Sequence, residues 1–234
     1  MKRTHLAALQ LFVALVIIVL GFSACNKSQT SDNWKSVYEQ AYKAHDYTTA
    51  LVALNQLIIS DSSNNKVYYD SMAFYYIKKQ HNYQAGQLYV DKGLKLDPNN
   101  FNLLEYKSIF LSAEGQIEAS RNLLSKAYEL SKLNKHLYMY ATTFANEKKM
   151  DEYSKIVNGI LYNNAAKPEK VEVSIDDNNA QMIELKALCY LDKAKIAKSP
   201  AMVLTYIDSA LLLEPNYQEA LYYKNQFTGN QAPR

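Results

Sequence analysis

The residues of this 234-residue chain that could carry chemistry are two cysteines, four histidines and a scatter of carboxylates. Cys189 sits beside Leu188 and Leu191 in Met182–Lys195, a segment whose spacing predicts a helix. It reads as a small core thiol, because a nucleophile needs an adjacent base and none is identifiable. His45, His81 and His136 are far apart and lack cysteine partners, whereas metal ligands come clustered at short spacing. Asp61-Ser62-Ser63-Asn64-Asn65 imitates the start of a calcium loop, but the glycine needed at the sixth place is missing and the twelfth is Met72 rather than Glu. The glycines, at 21, 86, 93, 115, 159 and 229, are too scattered to cradle a phosphate. No cofactor and no metal are expected, no reaction is assigned, and nothing picks one pair from the 23 acids. A formal charge of +3 on a chain of this size carries no nucleic-acid footprint.

Cys25 is different, because of what precedes it. Lys2 and Arg3 are followed by an apolar run, Leu6 to Leu20, broken only by Gln10, and then by Phe22-Ser23-Ala24-Cys25. A positive start, an apolar middle and small residues before a cut site are the layout of a secretory signal. With a cysteine at the cut, the segment resembles the lipobox of bacterial lipoproteins. The resemblance implies a signal peptide over residues 1–24 and a diacylglycerol on the Cys25 thiol, with 25–33 as a polar linker. Phe22 departs from the commonest Leu and is tolerated in some bacterial lineages, Bacteroidota among them. The alternative is an uncleaved anchor: Leu6 to Phe22 is 17 residues, at the short limit for spanning a bilayer. Either reading places the rest of the chain outside the cytoplasm and at a membrane. Asn26 after the cysteine favours the outer membrane, facing the periplasm, over the inner one.

The body of the chain repeats itself. His45 and His81 are 36 apart, as are Tyr47 and Tyr83, and Asp61 and Asp97; Gly115 follows His81 by 34. A period of this length marks stacked supersecondary units. Each unit reads as two amphipathic helices, the first over Asn33–Ala44, Lys66–Gln80 and Asn99–Ala113, the second carrying Leu51, Leu54, Leu57 and Ile58 or Leu88, Val90 and Leu94. His45, His81 and Gly115 fall where the first helix must end in a left-handed residue. Pro98 stops the second helix at Asp97-Pro98-Asn99-Asn100. One stretch, 163–180, is polar, contains Pro168, alternates at Val171, Val173 and Ile175, and reads as a loop insertion.

These units resemble tetratricopeptide repeats. Trp34, Ala41, Asp46-Tyr47, Ala50 and Leu54 fit the first copy; Ala73, Asn82-Tyr83, Gly86, Gly93 and Asp97-Pro98-Asn99 the second; Leu104, Ser108, Gly115, Ala119 and Ala127 the third. A fourth, Lys135–Tyr162, has Lys148-Lys149-Met150 at its turn and no glycine. Ala210–Asn216 repeats Gly93–Asn99 and belongs to a fifth. The resemblance implies an all-α fold over 34–227: a right-handed superhelical array of about five helix pairs, with a capping helix at Tyr217–Phe227 and a flexible tail at 228–234.

The resemblance also implies a protein or peptide partner and an inner groove made by the first helix of each unit. Matching positions gives Lys35, Tyr42 and Lys43, then Tyr68, Tyr75, Lys78 and Lys79, then Glu105 and Ile109, then His136, Met139 and Asn146. Tyr42 and Tyr75 would be aromatic anchors, and the lysines would favour an acidic partner segment. Lys35 stands where the family's carboxylate clamp has a lysine, but Glu39 replaces its asparagine and would repel a terminal carboxylate. The whole chain then reads as a lipid-anchored interaction module or scaffold of the cell envelope; the alternative is an assembly factor docking through its convex surface. Lipidation is testable directly: Cys25→Ser should leave the protein unprocessed and without label in cells fed a radioactive fatty acid. Native-level incorporation into that variant would contradict it.

Overall fold

The computed structural model describes residues 31–60, 65–163, 167–176 and 179–229. Among them are eleven α-helices and one β-hairpin: α1 (Ser31–Lys43), α2 (Tyr47–Ser60), α3 (Asn65–Phe74), α4 (Tyr83–Leu96), α5 (Phe101–Ala113), α6 (Ile117–Ser131), α7 (Asn134–Asn146), α8 (Met150–Tyr162), β1 (Lys170–Ser174), β2 (Ala180–Glu184), α9 (Leu185–Ile196), α10 (Pro200–Leu213) and α11 (Gln218–Gly229). The chain is an all-α helical-repeat array in which α1 packs on α2, α5 on α6, α7 on α8 and α9 on α10. It divides into two compact units at Tyr89/Val90, inside α4.

The turn inside the first four pairs follows from one backbone requirement. His45, His81, Gly115 and Lys148 all have positive φ, at 57°, 52°, 79° and 62°. A left-handed residue at this point turns the chain and lets the next N–H reach back to the helix's last orphan carbonyls. Asp46 N–H donates to Ala41 O at 2.9 Å, Gln116 to Leu111 O at 2.8 Å and Lys149 to Phe144 O at 2.9 Å. The degenerate fourth copy therefore turns like the others, with Lys148 where glycine was missed. The next side chain often starts the second helix: Asp46 Oδ1 accepts from Thr49 N and Asn82 Oδ1 from Ala85 N, each at 3.1 Å.

The second copy departs from its neighbours. Sixteen residues separate Asn65 from His81, against fourteen from Ser31 to His45, Phe101 to Gly115 and Asn134 to Lys148. The surplus is absorbed by a π-helical turn over Tyr75–Lys79 that follows α3 directly. Asn82 N–H consequently reaches Tyr76 O at 2.8 Å, one residue further back than in the other copies. This accounts for the first spacing of 36 and the next of 34.

The polar stretch expected as a loop is a hairpin. Val171 pairs with Ile183 and Val173 with Gln181. Ile183 is fully buried in a core with Ala187, Leu191, Ala210, Tyr217 and Ala220, and Val171 and Val173 pack against it. Polar side chains tie the hairpin down: Glu169 accepts from the N–H groups of Asn134 and Lys135, at 2.7 and 2.9 Å, at the start of α7. Glu214 accepts from Glu184 N–H at 2.9 Å and pairs with Lys170 at 3.0 Å. Met182 accordingly belongs to a strand, and the helix holding Cys189 starts at Leu185 instead.

Ala50 and Gly86 occupy one position early in the second helix of their pairs, and Ala50 is fully buried. A Cβ at Gly86 would lie 2.4 Å from Ile77 Cγ1. Replacing either by Leu should overpack the contact and cost about 1–3 kcal/mol. Thermal melts check this, and unchanged midpoints for both variants would contradict the register.

Candidate functional site

Residues 1–30, with Cys25 and the expected signal, lie outside the described residues. Of the segment expected as linker, Ser31, Asp32 and Asn33 are already helical. Among the described residues no helix is long and apolar enough to cross a membrane, and no group of three or more His, Cys, Asp or Glu could hold a metal ion. Cys189 is fully buried, and burial followed by the charge of Asp192 pushes its thiol well up, so it is a protonated core residue.

In the unit before Val90, a cleft of about 280 Å³ is lined by Tyr38 and Tyr42 of α1 and by Asp70, Ser71 and Phe74 of α3. Of the candidates expected here, Tyr42 alone lines it, and its side chain is 50% exposed. Lys35 and Lys43 are exposed on the same helix, and Lys78 on the π-turn. Tyr68 packs against the core cluster of Ala41, Ala50, Leu51, Leu54, Leu57, Met72 and Tyr75.

Two expectations need correction. Tyr75 is not a surface anchor: it is fully buried, its ring 6.4, 6.2 and 5.5 Å from those of Tyr38, Tyr42 and Tyr47. Among the described residues its hydroxyl makes no hydrogen bond of ordinary geometry, its nearest polar neighbours being the phenols of Tyr38, Tyr42 and Tyr47, and burial first, then those neighbours, pushes it well up. Lys79 is not a free charge beside the groove, because its ammonium lies 5.6 Å from the ring centres of both Tyr47 and Phe74. Tyr38 was within reach of sequence reasoning, one helical turn before Tyr42 on the same face. Phe74, Asp70 and Ser71 were not, because the π-turn shifts the phase of the helix relative to its end.

In the unit from Val90, Ile109, Met139 and Asn146 do come together, lining a second cleft of about 350 Å³ between α5 and α7 with Ser112 and Thr142. Ile109 is 39% exposed. Glu105 and His136, expected on the same face, instead form a closed network. His136 is fully buried. Its Nε2 lies 2.9 Å from Glu105 Oε2 and its Nδ1 2.7 Å from Ser131 Oγ. Burial alone would raise the Glu105 carboxyl, but the hydrogen bond from His136 and the Lys135 ammonium outweigh it and hold the carboxyl below its ordinary value. With its ring enclosed, the histidine is a strut between α5 and α7. Asp192 plays a similar part, accepting from the hydroxyls of Tyr138 and Tyr153, each at 2.6 Å.

A third cleft, of about 470 Å³, opens between the hairpin and α11, with Ile175, Gln181, Tyr217 and Tyr222 among its walls. It had no signal in the sequence, because it depends on the unread strand β2.

The array has the fold of tetratricopeptide-repeat proteins. A tetratricopeptide repeat protein from Parabacteroides merdae superposes with a TM-score of 0.61 at 12% identity, over 86% of this chain and 75% of that one. YrrB, described as a TPR protein with an unusual peptide-binding site, gives 0.55 at 16%, over 88% and 97%. PilW, described as a widely conserved type IV pilus biogenesis factor, gives 0.59 at 13%, over 90% and 89%. No family profile matches the sequence, and no curated protein is significantly similar to it.

Tyr75 tests the aromatic cluster. Tyr75→Phe removes a buried hydroxyl with no well-formed hydrogen bond among the described residues and should leave stability unchanged or raise it by up to about 1 kcal/mol. Tyr75→Ala should lose about 3–5 kcal/mol through the cavity it leaves. Denaturant melts measure both, and a marked loss in Tyr75→Phe would mean that the hydroxyl is bonded.

Proposed function

We propose that this chain is a protein-interaction module of the bacterial cell envelope, held at a membrane by lipid on Cys25. The observation that carries the reading is the pair of open clefts on the first-helix faces, with half-exposed Tyr42 at one and exposed Ile109 at the other. A large apolar or aromatic side chain left in an open cleft has area to bury against a partner, and such residues concentrate binding energy. The buried alternatives do not support catalysis: the enclosed His136 is hydrogen-bonded to Glu105 and Ser131, and the buried Cys189 thiol is held protonated, which supports binding instead. The lipobox order around Cys25 supports lipid attachment, with several acyl chains on one residue giving a stable anchor, and Asn26 after it supports the outer membrane, facing the periplasm.

A second reading, an assembly factor docking through the second-helix surface, has its own support. Val52 and Ile59 of α2 are 53% and 72% exposed, and Leu88 of α4 is 50% exposed. Capture from detergent-solubilised envelopes separates the two. In the first reading Tyr42→Ala and Ile109→Ala each lower recovery of the partner about tenfold or more, and Ile59→Ala does not. Loss on Ile59→Ala with wild-type capture by the other two would overturn it in favour of the second.

A further inference from the structure

We infer that the outer face of α2 rests on the lipid bilayer, with Val52 and Ile59 entering the boundary between headgroups and acyl chains. This rests on the lipid anchor at Cys25 proposed above, and it gives to lipid the face that the second reading gives to a protein.

α2 stands apart from the other helices by what it lacks. Among the described helices it alone contains no Asp, Glu, Lys, Arg or His. Its flanking acids, Asp46 and Asp61, fall beyond its two ends. Its solvent side is a stripe of Thr48, Thr49, Val52, Asn55 and Ile59, all exposed, with Val52 and Ile59 two helical turns apart on one side. The repeat supplies the comparison. Counted from the left-handed residue of each pair, the place of Ile59 is held by Lys95 in the second copy and Glu129 in the third, both exposed. The place of Thr48 is held by Glu118 in the third copy and Asp151 in the fourth, and that of Gln56 by Lys92 and Lys126 in the second and third. The later second helices meet water through charged side chains, and the first does not.

Position in the chain says what covers the face. Cys25 and Ser31, where α1 begins, are six positions apart, so their Cα atoms lie within about 22 Å of each other. α2 packs on α1 and its 14 residues span about 21 Å. Lipid on Cys25 therefore holds this helix pair close to the headgroups, and the bilayer is the surface that it meets continually. Tethering makes the contact intramolecular, so two aliphatic side chains in an uncharged surround suffice to orient the pair, although they would not hold a free protein on a membrane. The hydroxyls of Thr48 and Thr49 and the amide of Asn55 suit the wet headgroup layer, and no ion has to be desolvated. With no lysine or arginine on the stripe, the contact does not depend on anionic lipid.

The mature lipidated chain is reconstituted into phosphatidylcholine vesicles that contain lipid spin-labelled near the headgroup, which quenches a probe at the boundary. A nitrobenzoxadiazole probe is placed on Asn55→Cys or, for comparison, on Glu39→Cys, exposed on α1. Cys189, buried and protonated, does not take the label. Emission from position 55 should fall about twofold or more and that from position 39 hardly change, and raising the salt from about 50 to 500 mM should alter neither. Val52→Glu together with Ile59→Glu, both at exposed positions, should restore the emission at 55, with circular dichroism showing the fold kept. Equal quenching at 55 and 39, or quenching at 55 that survives the double substitution, would overturn the inference. Shielding of position 55 that develops only when envelope proteins are added would also overturn it and give the face to a protein. Mass spectrometry of the mature N-terminus separates the premises. An unacylated Cys25 removes the anchor and the inference together, whereas an acylated chain with position 55 unquenched removes the bilayer contact alone.

Discussion

Four helix pairs of this protein turn on a single residue in the left-handed region, while the last turns through extended backbone at Ala197. At His45, His81, Gly115 and Lys148 the first helix stops, the chain reverses, and the following N–H closes on a carbonyl of the last turn. The conformation costs a side-chain-bearing residue about 1 kcal/mol or more, so three of the four positions hold it against a local preference. What holds it is packing. A helix that buries one face must find a partner, and the reversal lets neighbouring helices pack, as Leu54 and Leu57 do in the core that also holds Tyr75.

The same constraint explains where the chain is irregular. Two surplus residues before His81 could not be placed in the turn without breaking the bond that closes it. They were taken up as a π-turn, and Asn82 N–H reaches one residue further back to compensate. Tyr75 is the first residue of that turn and lies fully buried at the centre of an aromatic cluster, while Phe74 just before it lines the cleft. The candidate binding surface of this unit is thus a consequence of how an insertion was absorbed. The hairpin is another accommodation: Glu169 supplies the start of α7 with an acceptor, and Ile183 fills the core of the last pairs.

The repeat, its period and the left-handed positions were legible because they follow from local rules, namely apolar spacing, a tolerant residue after a helix, and proline after the next. Lys148 was harder, since lysine is no signal for that backbone. The hairpin was half legible. Val171 and Val173 alternate visibly, but the partner strand is five residues long and runs straight into α9, so its Met182 and Ile183 read as the start of a helix. For the clefts, sequence position named helices that do line them and, in the later unit, three residues that converge in one: Ile109, Met139 and Asn146. It failed for Tyr75, Glu105 and His136 because facing inward along a helix does not distinguish a wall of an open cleft from a side chain sealed beneath it.

The functional account comes down to which surface of the array meets a partner. Site-specific photocrosslinking in cells tests that most directly, with benzoylphenylalanine placed at Tyr42, at the cleft of α1 and α3, and at Ile59, exposed on α2. The account predicts a discrete crosslinked protein from position 42 and none from position 59. Crosslinks from position 59 alone would contradict it and move the interaction to the second-helix surface.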